Sequence, residues 1–151
     1  MAKTQRARMV DLPPGRAFEL WTDVSRWPTF VDGFANVERI GDDWPQAGSK
    51  LVWRSVPTGR GTVTEKVRES LPGVRFQTDV LEERLIGTQT VEFEAADDGG
   101  SAVLMSLDYT LVNKGPLAWV TDVLFIRRAQ NDALARTLRR FATEAAEEAA
   151  L

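Results

Sequence analysis

Arg127 and Asn131 stand one helical turn apart in a stretch patterned as a helix. Both fall within the apolar stripe that must face the rest of the molecule. Glu65 stands between Val63 and Val67, on a strand face otherwise suited to a core. Burying an Arg or a Glu is costly unless it is paired. Three such groups converging in an apolar interior can form the polar floor of a ligand cavity and hold a carbonyl or hydroxyl. The alternatives are an internal ion pair, or an Arg whose stem lies on apolar surface while its head reaches water. Gln89 and Tyr109 share this inward pattern, and the Tyr109 hydroxyl needs a partner to which it can donate. Trp27, Phe30, Trp53, Val67, Phe76, Phe93 and Met105 are the apolar candidates to line such a cavity, or simply to fill a core.

The chain has no His and no Cys. That excludes a Ser-His-Asp triad, imidazole and thiolate metal ligation, a thiol nucleophile and disulfides. A formal net charge of −3 argues against a nucleic-acid partner. Gly59-Arg60-Gly61 follows a turn residue and opens no helix, so it fails the context of a phosphate loop. Asp97-Asp98 reads as a turn, and the remaining carboxylates fall mostly on outward strand faces. Neither a metal nor another cofactor is expected. No apolar stretch approaches the roughly 18–20 residues that span a bilayer, and no apolar segment follows Lys3, Arg6 and Arg8. The expected location is the cytoplasm.

These side chains need a scaffold, and the patterning supplies one. Residues 6–12 suit a strand, and Pro13-Pro14 then opens a short helix carrying Ala17, Phe18, Leu20 and Trp21. A second short helix after Ser25, its expected N-cap, carries Trp27 and Phe30. Period-two texture follows, broken by turn residues, and predicts six strands over about 34–41, 49–56, 60–70, 74–83, 85–95 and 101–112. Short loops imply an antiparallel meander. Facing in are Val63, Glu65 and Val67; Val74, Phe76, Thr78 and Val80; Gln89, Val91 and Phe93; and Val103, Met105, Leu107, Tyr109 and Leu111. If Leu51 and Trp53 face in, Arg54 faces out; the opposite parity would bring Arg54 inside.

Residues 117–146 lack Pro and Gly and predict a helix of roughly 45 Å. Val120, Leu124, Leu134, Leu138, Phe141, Ala142 and Ala145 form its stripe, and about 146–151 should fray. Trp119, Phe125 and Ile126 lie off it. They could cover a cavity mouth, form a homodimer patch, touch another partner, or pack on neighbouring loops. The pairs Arg127-Arg128 and Arg139-Arg140 have outward members that suit solvent or surface ion pairs. The whole chain, 1–151, reads as a single domain.

The run Asp11-Leu12-Pro13-Pro14-Gly15-Arg16-Ala17-Phe18-Glu19-Leu20-Trp21-Thr22-Asp23-Val24-Ser25-Arg26-Trp27-Pro28 and the closing Leu134-Ala135-Arg136-Thr137-Leu138-Arg139-Arg140-Phe141-Ala142 resemble the START/Bet v 1-like superfamily. Its short bacterial polyketide cyclase/dehydrase and lipid-transport members fit best. The resemblance implies an α+β helix-grip fold: a curved antiparallel sheet of about seven strands around a long C-terminal helix, with a cavity between them. It also implies a hydrophobic ligand such as a lipid, quinone, sterol or polyketide-like molecule. No invariant catalytic set can be carried over. If the chain catalyses, cyclisation or dehydration of a polyketide-like chain is expected, with Glu65 as base, Tyr109 as acid, and Arg127 with Asn131 as the carbonyl anchor. The lack of His favours a binder, because a Glu must have its pKa raised by burial to act near pH 7.

Overall fold

The computed structural model describes the backbone over residues 2–112 and 118–151, with side chains described over 2–112 and 124–151. The order of elements is β1 (Ala2–Val10), α1 (Pro14–Thr22), a 3-10 turn (Val24–Arg26), α2 (Trp27–Phe30), β2 (Phe34–Ile40), β3 (Lys50–Ser55), β4 (Thr62–Leu71), β5 (Arg75–Leu81), β6 (Leu85–Ala95), β7 (Ser101–Leu111) and α3 (Ala118–Ala149). Strands β2 to β7 form an antiparallel meander, and β1 pairs antiparallel with β7, giving the sheet order β1-β7-β6-β5-β4-β3-β2. α3 packs against β1, β7 and α2. This is the α+β helix-grip architecture: a seven-stranded antiparallel sheet, two short helices after the first strand, and a long C-terminal helix.

Period two gave the strand faces reliably because one side of the meander is buried. Val63, Glu65, Val67, Phe76, Thr78, Val80, Val91, Phe93, Val103, Met105, Leu107 and Tyr109 are all buried. The parity of β3 is settled: Leu51 and Trp53 are fully buried, and Arg54 is exposed, paired with Glu38. Val74 departs from its assigned face and is 51% exposed, since it precedes β5 in the turn.

Several expected boundaries shift. β1 begins at Ala2 rather than Arg6, because an edge strand with mostly exposed side chains carries little hydrophobic alternation. The cap of the second helical segment is Asp23, not Ser25. The Asp23 Oδ1 accepts a hydrogen bond from the Ser25 N–H at 3.1 Å. α3 runs on to Ala149, so the expected frayed end is helical. Ion pairs from Arg26 to Glu144 and Glu148 tie down that last turn.

Among the described residues, the interior forms two apolar clusters. The larger packs α1 and α2 into the sheet with Leu134, Leu138, Phe141 and Ala145 of α3. The smaller contains Leu85, Leu107, Tyr109 and Ile126. Trp53 and Met105 of the larger cluster and Leu107 of the smaller line one cavity between them.

Candidate functional site

Glu65 projects from β4 into the interior and is 4% exposed. The Trp53 indole N–H on β3 donates to its Oε2 at 2.7 Å, and the Thr78 hydroxyl on β5 donates to its Oε1 at 2.9 Å. The strand register puts them together, since Val63 lies opposite Trp53 and Val80 opposite Glu65. Burial pushes the carboxyl above the ordinary Glu range, against the opposing pull of the Trp53 hydrogen bond, the Arg60 charge and the Thr78 hydrogen bond.

Glu65 lines an internal cavity of about 20 Å³, with Trp21, Trp27, Trp53, Gln89, Met105, Leu107 and the α3 residues Gln130, Leu134 and Thr137. That is room for about one water-sized group. A groove of about 380 Å³ adjoins it, sharing the wall residues Asp32, Arg60, Gln130 and Ala133. Val56, Phe125, Ile126 and Ala129 give the groove an apolar side, and Glu82, Arg84 and Arg136 give it a charged one.

Arg60 stands between the two spaces. Its guanidinium carbon lies 5.1 Å from the Trp53 ring centroid, and its Nε–H donates to Glu82, a nearly buried carboxylate. The β3–β4 turn carries it there. The Ser55 N–H donates to the Gly61 carbonyl and the Gly61 N–H to the Ser55 hydroxyl, each at 2.8 Å. Gly61 sits at φ 74°, where a Cβ would meet the Glu83 carboxylate at 2.6 Å. Across the mouth, Arg136 grips Asp32 with two hydrogen bonds of 2.9 and 3.1 Å, and the Asp32 N–H donates to the Thr137 hydroxyl at 3.0 Å. The Asp32 hydrogen bond holds the Arg136 guanidinium still more firmly protonated.

Trp27, Trp53, Glu65, Gln89 and Met105 are therefore brought around one cavity. The other candidates stand elsewhere. Arg127 is exposed and lines neither space. Ile126 takes the inward position that was expected to lie off the stripe, which turns Arg127 away by roughly 100°. Asn131 is half-buried against Thr4 of β1, in side-chain hydrogen-bond contact with its hydroxyl. Leu124 is 66% exposed. The inward face of this half of α3 runs instead through Ile126, Gln130, Ala133, Leu134 and Thr137. Tyr109 is buried in the smaller cluster and lines neither space. Of the four side chains expected to cooperate in catalysis, Glu65, Tyr109, Arg127 and Asn131, only Glu65 lines the cavity, so the set is not assembled. Phe76 and Phe93 pack on Phe18 of α1 with ring centroids 5.9 and 5.7 Å apart, and Phe30 packs on Trp21 and Phe141. Val67 belongs to the same core. The Trp119 side chain lies outside the described residues.

Arg60, Asp32, Trp21, Gln130 and Thr137 escaped the reading of the sequence as site residues. Trp21 was visible only as an apolar position of α1. Arg60 was visible only inside a Gly-Arg-Gly fragment.

A curved sheet gripping a long helix, with a polar-walled cavity between them, defines a helix-grip protein. Residues 1–146 match the family described as polyketide cyclase / dehydrase and lipid transport, and the chain belongs to that family. Solved structures share the fold. A protein of unknown function from Staphylococcus aureus is 13% identical with a TM-score of 0.75, over 99% of this chain and 96% of that one. A Thermus thermophilus protein is 14% identical with a TM-score of 0.73, over 97% and 99%. A Deinococcus radiodurans protein is 21% identical with a TM-score of 0.61, over 95% and 96%. No curated protein matches the sequence. Among the described residues, no helix is long and apolar enough to cross a membrane.

Proposed function

We propose that the chain binds a small, mainly apolar molecule by one polar group. That group enters the inner cavity beside Glu65 and Gln89. The apolar body lies in the outer groove against Val56, Phe125, Ile126 and Ala129. One observation carries this: a buried carboxyl forms part of the wall of a cavity that adjoins a groove of ligand size. A buried carboxyl with only two donors retains hydrogen-bonding capacity for a guest. The family description supports a lipophilic guest of the lipid, quinone, sterol or polyketide class. The inner cavity admits only a small group, so the groove rather than the core holds the bulk.

Binding rather than catalysis is favoured because Glu65 has neither Tyr109 nor Arg127 beside it. A thermal-shift screen of fatty acids, quinones, sterols and aromatic polyketides tests the proposal. A ligand at 100 times its Kd adds about 2.7 kcal/mol, which raises Tm by roughly 5–10 °C for a chain of this size. One class should stabilise the wild type and lose roughly tenfold in affinity in Glu65→Gln. A flat response to every class, or a hit unaffected by Glu65→Gln and by Phe125→Ala alike, would overturn it.

A further inference from the structure

The inner cavity and the outer groove share a wall made by Arg60 of the β3–β4 turn and Gln130 of α3, with Asp32 and Ala133 beside them. Both long side chains hold unused hydrogen-bonding groups there. Gln130 is 8% exposed, and its amide has no partner among the described residues. Among those residues, the partnerless side-chain atom sealed by packing is the Trp21 indole nitrogen, so the Gln130 amide stays open to the spaces it lines. Arg60 is fixed on two sides, by its Nε–H on Glu82 and by its guanidinium over the Trp53 ring. Its two terminal amino groups have no acceptor among the described residues, and its side chain remains 22% exposed. Buried polar groups are paired almost without exception, because an unmade hydrogen bond costs the desolvation of the group. Two unpartnered groups facing one junction between a cavity and a groove mark a place for a guest.

We infer that this junction is a carboxylate site and that the guest is an acid. The inference rests on the binding function proposed above and adds a charged group to that guest. A guanidinium only donates, so the group that meets the Arg60 amino groups must accept. Charge decides between a neutral acceptor and an anion. The described residues lining the groove include three arginines, Arg60, Arg84 and Arg136, against two acids, Asp32 and Glu82. Both acids are engaged, Glu82 by Arg60 and Asp32 by Arg136 and Arg140. Arg84 forms no ion pair with any described residue, and its neighbour Glu83 lies against Gly61 and does not line the groove. The groove therefore holds one cation more than its acids balance. A neutral carbonyl leaves that charge uncompensated, a dianionic phosphate overshoots it, and a carboxylate matches it. A carboxylate also has two oxygens, one for an Arg60 amino group and one for the Gln130 amide.

The test titrates three probes into the full chain by calorimetry near neutral pH: 2-naphthylacetate, 2-naphthylacetamide and 2-naphthyl phosphate. The acetate and the amide have nearly one shape and differ in charge. The acetate should bind roughly tenfold more tightly than the amide and more tightly than the phosphate. Its advantage over the amide should shrink in about 0.5 M salt. Arg60→Gln/Glu82→Gln removes the guanidinium without stranding a nearly buried carboxylate, and in it the ratio of the two affinities should fall to near one. Arg84→Gln, at an exposed position, should lower that ratio roughly threefold. Gln130→Met should weaken the acetate roughly tenfold. Where the double variant does not fold, the two single variants carry the test. Equal affinity for acetate and amide, a phosphate that binds more tightly than the acetate, or a ratio that none of the variants lowers would each overturn the inference while leaving the proposed function standing. If none of the three probes binds saturably, the inference and the proposed function both fall.

Discussion

The Trp53 indole N–H holds Glu65 Oε2 at 2.7 Å, while the opposite side of the site brings Arg60 to 5.1 Å from the same indole ring. One tryptophan thus joins the buried carboxyl to the cation at the mouth. Its N–H and the positive charge both favour the ionised carboxyl, yet desolvation outweighs them and raises the pKa. Glu65 is accordingly a carboxyl that folding makes more basic, and that has a measurable consequence.

A group whose pKa is higher in the folded than in the unfolded chain holds its proton more tightly in the fold. Its stabilising contribution is complete below the ordinary value of 4.5 and is lost as pH rises from there through the folded value. Within that window, the single extra proton gives a slope of about 1.4 kcal/mol per pH unit. Chemical denaturation of wild type and Glu65→Gln between pH 4 and pH 8 should show the variant gaining on the wild type as pH rises. Parallel curves would mean that Glu65 does not titrate differently in the fold.

The Arg60–Glu82 pair makes a separate prediction. The Glu82 side chain is 3% exposed and that of Arg60 22%. Arg60→Ala leaves a nearly buried carboxylate without its partner and should cost about 2 kcal/mol. Glu82→Gln removes that charge, so the double variant should be less destabilised than the sum of the singles by at least about 0.5 kcal/mol. Additive urea midpoints would show that the two side chains do not interact in solution.

The residues that were legible in the sequence and those that were not differ in what fixes their direction. Glu65 could be read because a strand between Val63 and Val67 has only two faces, and the valines choose one. Gln89 and Met105 could be read for the same reason. α3 offers no such binary choice. Its Ala-, Leu- and Arg-rich sequence permits a broad stripe, and Arg127 fell within it until the seating of Ile126 and Gln130 against the sheet set the rotation. Arg60 depends on a turn. Nothing in Gly59-Arg60-Gly61 says that the chain folds back to lay a guanidinium over Trp53, because the Ser55–Gly61 hydrogen bonds and the positive φ of Gly61 determine that course. Trp21 looked like core and is core on two sides. Among the described residues its N–H has no acceptor, which only the packed structure shows.

Asp32 ties the loop after α2 to α3 through Arg136, with Arg140 as a second cation at 3.2 Å. Both arginine side chains are more than 40% exposed, so solvent screens much of the attraction. Asp32→Asn should therefore cost only about 0.5–1.5 kcal/mol, and the loss should shrink in 1 M salt. The Asp32 backbone bond to Thr137 is retained. A cost well above this range, unchanged by salt, would point to packing rather than charge.

Phe125 separates a ligand groove from a protein-contact patch. It is 69% exposed, so Phe125→Ala should change stability by no more than about 0.5 kcal/mol. It also lines the groove, and its neighbour Leu124, 66% exposed, does not. If the groove holds the apolar body of the guest, Phe125→Ala should weaken ligand binding by about 1–2 kcal/mol, whereas Leu124→Ala should leave it unchanged. If the two side chains instead form one patch between copies of the chain, both substitutions should reduce self-association alike, and neither should affect ligand binding. Titration calorimetry of both variants with the best ligand from the screen, beside sedimentation of the wild type over a hundredfold range of concentration, distinguishes the two. The expected result is a binding loss confined to Phe125→Ala and a sedimentation coefficient independent of concentration.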